Sequence, residues 1–343
     1  MSEDTQKLDL AAVGAYLSEH LDGFEGPLEA RKFQTGQSNP TFLLQTPQRN
    51  YVLRRKPPGQ LLKSAHAVDR EYRVQKALAN TDVPVARMYL LCEDDAVIGS
   101  SFYVMEHIPG RNFYDPTMPD LTNTERGAVV DDMNRVLAAM HDVDIDAVGL
   151  SDYGPQGNYY ERQVGRWSKQ YRASETAPIP AMDRLMDALV EQMPVDDGQR
   201  TLVHGDYRID NMMFEAEGTK CLAVLDWELS TIGHPFADLG SVIMQWQMPQ
   251  GQEGRGLAGV DRAAIGLPSD EEFVARYCER RGLDSIDNFG FYKSFCFFRM
   301  AAIIQGVYKR ALDGNASNPE RAMKVGQYVS LFADHGVRAL EGN

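Results

Sequence analysis

The stretch Val203-His-Gly-Asp-Tyr-Arg-Ile-Asp-Asn-Met-Met-Phe214, followed by Leu222-Ala-Val-Leu-Asp-Trp-Glu228, holds the densest set of reactive side chains in the chain. Met212 to Phe214 and Cys221 to Leu225 read as two short apolar strands, with Glu215-Ala-Glu-Gly-Thr-Lys220 as the turn. Antiparallel pairing around Gly218 brings Asn211 and Asp226 to the same end of the hairpin. Asp206 sits in the loop that feeds the first strand. Two carboxylates and one amide oxygen therefore converge. Mg²⁺ takes hard oxygen ligands, and one carboxylate with one amide is enough when phosphates complete the shell. A second carboxylate, off the metal, can accept the proton of an attacking hydroxyl. The set suits phosphoryl transfer.

Outward from the hairpin, the chain divides in character. Toward the N-terminus, Leu10, Val13, Leu17 and Leu21 recur at helical spacing within residues 1–25. Thr41-Phe-Leu-Leu-Gln-Thr46 and Tyr51-Val-Leu-Arg-Arg55 read as strands, residues 66–80 as a helix, and Val97 to Met105 contains a further apolar strand. Beyond Pro109-Gly110 the pattern turns helical. Residues 124–141 are expected to form a helix capped by Thr122 or Thr124, residues 158–174 and 181–193 two more, and Ser269-Asp-Glu-Glu272 a capping box opening another. Residues 289–311 form a long apolar helix whose phenylalanines read as core. The expected fold class is α+β, with a small β-rich lobe (1–109) and a larger helical lobe (110–343) carrying the hairpin 201–228.

Length and charge narrow the function. The 343 residues suit two domains or two lobes of one enzyme. A net charge of −14 argues against nucleic acid and against a polybasic membrane surface as partners, since both need clustered Lys and Arg. No run approaches the ~18 apolar residues of a membrane span. The N-terminus Met1-Ser-Glu-Asp-Thr5 is acidic and lacks the apolar run of a signal peptide, so a cytoplasmic protein is expected. Cys92, Cys221, Cys278 and Cys296 are far apart and read as buried reduced thiols.

His204-Gly-Asp-Tyr-Arg-Ile-Asp-Asn211 with Leu225-Asp-Trp-Glu228 resembles the catalytic and metal-binding segments of the aminoglycoside phosphotransferase and choline kinase group, which shares the bilobal protein-kinase fold. The resemblance implies Asp206 as catalytic base and Asn211 and Asp226 as Mg²⁺ ligands, with ATP as cofactor and GTP left open. Gly233-His-Pro-Phe-Ala-Asp-Leu-Gly240 also fits the group. Its Asp238 reads as a brace for the catalytic loop, and His204 as a residue that orients backbone.

The small lobe is read in the same light. Gly36, Ser38 and Asn39 form a turn whose amides can face phosphates. Arg54 stands where kinases place a lysine, with Glu71 as its partner. Arg55 and Lys56 compete for that role, but period-two alternation turns Arg55 to the other face. Glu106, His107 and Ile108 fall where backbone groups would meet the adenine edge.

Tyr51-Val-Leu-Arg-Arg-Lys-Pro-Pro-Gly59, Gly157-Asn-Tyr-Tyr-Glu-Arg-Gln163 and Phe298-Arg-Met-Ala-Ala-Ile-Ile-Gln-Gly306 look like the branch associated with acyl-CoA dehydrogenases. That implies an ATP-dependent small-molecule kinase. Its acceptor would be a small molecule with a hydroxyl group, a hydroxyacyl-CoA or hydroxy acid, and it would have a functional link to an acyl-CoA dehydrogenase. The two lobes leave no length for a dehydrogenase itself. An anionic acceptor would need a basic patch, for which Arg162, Arg166, Lys169 and Arg172 are the nearest helical candidates.

Rival readings remain at this stage. One is an aminoglycoside- or choline-type kinase with a cationic acceptor, which an acidic protein would attract. A second is a metal-dependent hydrolase built on His204, Asp206, Asp226, His234 and Asp238. A third is a nucleotide-binding pseudokinase. Gly254-Arg-Gly-Leu-Ala-Gly259 has the letters of a dinucleotide fingerprint, but no strand precedes it, so it reads as a loop. Tyr159, Tyr160, Trp167, Tyr171 and Trp246 read as packing residues, and His141 as a helix cap or packing residue.

Overall fold

The computed structural model describes residues 8–33, 39–57, 67–251, 255–316 and 318–342. Helix α1 (Leu10–His20) starts at Asp9, whose carboxylate accepts from the Ala12 amide at 3.0 Å. It buries Val13 and Leu17 against an antiparallel sheet. The sheet comprises β1 (Glu29–Lys32), β2 (Thr41–Gln45), β3 (Asn50–Arg55), β4 (Met88–Cys92) and β5 (Phe102–Glu106), in spatial order β1-β2-β3-β5-β4. Phe42, Leu44, Tyr51, Leu53, Phe102 and Val104 complete that core. Helix α2 (Val68–Leu78) buries Val68, Glu71, Val74, Gln75 and Leu78.

The strand expected within 97–105 is β5, which occupies only the second half of that segment. Asp94 accepts from the Ala96 amide (2.9 Å) and starts a one-turn helix α3 (Asp95–Ile98), which closes at a left-handed Gly99. The apolar run of Val97 and Ile98 therefore belongs to a turn, and β5 begins only at Phe102. Apolarity alone did not separate the two.

The hairpin of residues 212–214 and 221–224 forms as its sequence reads, and a further strand pair encloses it in sequence. Two ladders are nested there: β6 (Thr201–Val203) with β9 (Thr231–Gly233), and, inside them in sequence, β7 (Met212–Phe214) with β8 (Cys221–Val224).

The chain falls into two compact units. The first holds Met1–Asn112, Ala147–Leu150 and Asn211–Ser230; the second holds Phe113–Asp146, Ser151–Asp210 and Thr231–Asn343. This division does not coincide with a boundary at 109/110, because the β7–β8 hairpin groups with the sheet. Arg111 and Phe214 exchange two backbone hydrogen bonds (2.9 and 2.8 Å), and the Val224 amide donates to the Pro84 carbonyl at 2.9 Å. Backbone groups that a short hairpin cannot pair internally are thereby satisfied.

The second unit is helical: α4 (Asn123–His141), α5 (Tyr159–Ser174), α6 (Pro180–Glu191), α7 (Phe236–Trp246), α8 (Asp270–Arg281), α9 (Phe289–Leu312), α10 (Pro319–Gly326) and α11 (Val329–Leu340). Complete capping boxes open α4, from Thr122 with Glu125, and α8, from Ser269 with Glu272. Phe291, Phe295, Phe297 and Phe298 of α9 are fully buried and form its core. The whole is an α+β fold. Among the described residues no helix is long and apolar enough to cross a membrane. The four cysteines are buried and form no disulfide among the described residues.

Candidate active site

In the first unit, β3 is the central strand of the sheet, so both of its edges are paired. Tyr51, Leu53 and Arg55 share one face, and Arg55 is buried with its guanidinium 5.7 Å from the centre of the Phe42 ring. Arg54 lies on the other face. Its Nε is 3.0 Å from Glu71 Oε2 on α2, and its Nη2 is 2.6 Å from Asp226 Oδ1 and 3.8 Å from Glu228 Oε2. The period-two reading that separated Arg54 from Arg55 describes this strand. Lys56 sits 3.7 Å from Asp69, away from the cluster.

Glu71 is 1% exposed and gathers donors on both oxygens. Asn39 Nδ2 donates to Oε1 at 2.7 Å, and the Tyr103 hydroxyl donates to Oε2 at 3.1 Å. Tyr103 stands opposite Arg54 in the β3–β5 register, so its side chain emerges on the same face. Burial pushes the Glu71 carboxyl up to about 7, against the pull of Arg54. For Arg54, burial opposes the charge, but Glu71, Tyr103 and Asp226 outweigh it and hold the guanidinium firmly protonated.

Asp226 follows β8 with φ 64°, a left-handed conformation that aspartate tolerates better than most residues. The Leu225 amide donates to the Asn211 carbonyl at 2.8 Å, so the two candidate metal ligands flank one backbone hydrogen bond. The hairpin thus brings Asn211 and Asp226 together. Both offer hard oxygens. Among the described residues no three His, Cys, Asp or Glu side chains form a metal-holding group. A pair of protein oxygens fits a Mg²⁺ ion that takes its other ligands from phosphates and water. Of the residues in the hydrolase reading, His234 pairs with Asp197 (3.4 Å) and Asp238 accepts backbone amides.

In the second unit, the loop from His204 to Asp206 is pinned by Asp238, on the first turn of α7. The His204 amide donates to its Oδ2 (2.6 Å) and the Gly205 amide to its Oδ1 (2.9 Å). Arg299 Nη2 donates to the Gly205 carbonyl at 3.0 Å. Gly205 has φ 84°, a conformation that favours glycine. His204 Nδ1 accepts from the Asp206 amide (3.2 Å), which assigns its proton to Nε2. Behind Asp238 lies buried His141, with Nε2 3.6 Å from its Oδ2 and Nδ1 2.7 Å from the Tyr277 hydroxyl. Burial opposes ionisation of Asp238, but His141, His204 and the Gly205 amide outweigh it and lower its pKa. His141 is therefore part of the brace rather than a simple helix cap. The Asp206 carboxylate is 30% exposed, with Arg208 Nε 3.3 Å from Oδ1.

The remaining candidates are distributed as follows. Gly36 and Ser38 lie outside the described residues. The Asn39 side chain serves Glu71. Glu106 ends β5, and its amide donates to the Arg87 carbonyl (2.9 Å); Ile108 is half-buried beyond it. Arg162 donates to the carbonyls of Gln156 (2.9 Å) and Asn158 (3.1 Å), and Arg172 pairs with Asp183 (2.6 Å), so both hold local structure. Tyr159, Tyr160, Tyr171 and Trp246 are buried packing residues. Sequence reasoning missed Tyr103, Glu228, Asp210, Arg255 and Arg299. Only Glu228, two residues beyond Asp226, carried a local signal.

The α+β fold, with its five-stranded sheet and helical second unit, is that of the kinase-like phosphotransferases. The chain belongs to the phosphotransferase enzyme family, which it matches over residues 29–287. It is 49% identical over 310 residues to mouse acyl-CoA dehydrogenase family member 10, covering 90% of this chain and 29% of that protein. The chain thus spans less than a third of that relative. The crystal structure of a "putative aminoglycoside phosphotransferase" from Ralstonia eutropha JMP134 is 47% identical and superposes with a TM-score of 0.90, covering 98% of this chain and 99% of that one. Aminoglycoside phosphotransferase APH(4)-Ia, solved with AMP-PNP and hygromycin B, shares the fold at 17% identity and a TM-score of 0.63, covering 97% of this chain and 100% of that one.

Proposed function

We propose that the protein is an ATP-dependent small-molecule kinase whose acceptor is a hydroxyacyl-CoA or a related hydroxy acid. The observation that carries the reading is the Arg54 cluster, in which one guanidinium ties Glu71 to Asp226. A bidentate cation aligned in this way suits a nucleotide phosphate. Family membership supports phosphoryl transfer, and the AMP-PNP complex of APH(4)-Ia supports ATP as donor. The name of the mouse relative supports an acyl-type acceptor and a functional link to acyl-CoA dehydrogenation. Four buried thiols without a disulfide among the described residues support a reducing, cytoplasmic setting.

In this mechanism the acceptor hydroxyl gives its proton to the Asp206 carboxylate. Its oxygen forms a bond to the γ-phosphorus, the bond from that phosphorus to the bridging oxygen breaks, and ADP leaves with the electron pair. Asp238 and Arg299 hold the loop that presents Asp206, so little reorganisation accompanies the transfer. Arg54 steadies phosphate charge. Asn211 and Asp226 would hold Mg²⁺, which when bound neutralises charge on the phosphates.

ADP release is the test, measured with hydroxyacyl-CoAs, hydroxy acids, aminoglycosides and choline as acceptors. An acceptor-dependent rate with the acyl or hydroxy-acid compounds is expected. Asp206→Asn should lower that rate by about two orders of magnitude with ATP affinity little changed. Undiminished turnover by the variant overturns the base assignment. Mg-ATP should raise the melting temperature of the wild type, and Asp226→Asn should remove the Mg²⁺-dependent part of that shift.

A further inference from the structure

Within the second unit, Asp210 is 8% exposed and holds two guanidiniums. Arg208 Nη2 lies 3.1 Å and Arg255 Nη1 2.5 Å from its Oδ2. Arg208 also reaches the Asp206 carboxylate through Nε. Arg255 comes from the loop whose letters imitate a dinucleotide fingerprint, and its backbone is left-handed, with φ 50°. Its guanidinium lies over the Tyr114 ring, 4.4 Å from the centroid, and Nη2 donates to the Tyr114 hydroxyl at 3.1 Å. Tyr114 is 56% exposed, so the row Asp206, Arg208, Asp210, Arg255, Tyr114 runs from the candidate base to the surface. Each arginine uses two of its nitrogens on these partners, and a guanidinium carries five N–H donors.

Charge gives this row a direction. Two guanidiniums against two carboxylates leave it neutral. Once Asp206 has accepted a proton it is one unit positive, with the charge on the arginines. An anionic group bound beside them is thus held more tightly after proton transfer than before, which is the differential binding that accelerates a reaction. A cationic acceptor would be opposed at the same moment.

We propose that Arg208 and Arg255, mounted on Asp210, form the subsite for an anionic group of the acceptor, a carboxylate or a phosphate. The proposal rests on Asp206 being the base, as in the proposed function. Arg255 is a specificity residue in this scheme, and Arg208 both binds the anion and positions Asp206.

The experiment compares KM values for charged and uncharged acceptors. A hydroxy acid against its methyl ester reads a carboxylate; a hydroxyacyl-CoA against the same hydroxyacyl group on pantetheine reads a phosphate. Arg255→Gln should raise KM at least tenfold for the charged member of one pair, while KM for its uncharged partner and for ATP moves less than twofold. Arg255→Lys, which keeps the charge without the fork, should recover part of the loss. Equal changes for both members of each pair overturn the subsite. A rise confined to the ATP KM also overturns it, assigning the arginine to the nucleotide. If wild type and Asp206→Asn turn over every acceptor alike, the base reading itself fails, a result distinguishable from the first two.

Discussion

Arg54 occupies the position where the kinase pattern has lysine, and its fork explains how the exchange works. Nε serves Glu71 while Nη2 serves Asp226. A lysine has one ammonium and cannot span both in the same geometry. Arg54→Lys should therefore raise KM for ATP and lower the melting temperature, as one buried carboxylate loses its partner; breaking such a pair costs about 3–5 kcal/mol. Unchanged KM and melting temperature would contradict the bridging role. Glu71 adds a pH effect. With its pKa raised by burial to about 7, it is ionised above neutrality and increasingly protonated below it. KM for ATP should rise as the pH falls from 8 to 6, and Glu71→Gln should flatten that profile at its acidic level. At this scale the pairing of Arg54 with Glu71 was readable from alternation and motif. Tyr103 was not, because its role depends on which strand pairs with β3.

At the scale of elements, the loop from His204 to Asp206 depends on α7. Asp238 receives the two loop amides, and two residues later Gly240 faces α9. A Cβ on Gly240 would lie 2.9 Å from the Tyr292 carbonyl oxygen and 3.2 Å from Cys296 Sγ. The backbone of α9 cannot give way cheaply, so Gly240→Ala should destabilise the protein by about 1–3 kcal/mol. It should also lower kcat more than KM, since displacing α7 moves the carboxylate that holds His204 and Gly205. Urea unfolding and steady-state kinetics on the same preparation read both, and an unchanged unfolding midpoint would refute the close-packing argument. The helices α4, α5, α8 and α9 were legible in periodicity and capping. The break at Asp94 and Gly99 was not, because a short apolar run has no periodicity to distinguish strand from turn.

For the molecule as a whole, four histidines contribute to the acid response. Burial lowers the pKa of His107, His141, His234 and His335. Each folded-state pKa lies below its unfolded value, so each contributes stability that is present above about pH 6.5 and lost as the pH falls through the folded value. Glu71 runs the other way: its contribution is present below about 4.5 and lost as the pH rises toward 7. With four histidines against Glu71, the urea midpoint should be lower at pH 5.5 than at pH 7.5, and His141→Gln should show a smaller difference. A flat profile would overturn this assignment. Local sequence decided which residues carry the chemistry and which segments become helices and strands, because side-chain periodicity, caps and turn residues act over a few positions. It did not decide the partners. Arg54 meets Asp226 across 172 residues, and Arg255 meets Asp210 across 45. Such pairs form only when packing has closed the intervening chain and removed the charges from water, which is why the β7–β8 hairpin's grouping with the sheet and the arginine row beside Asp206 came from the tertiary structure alone.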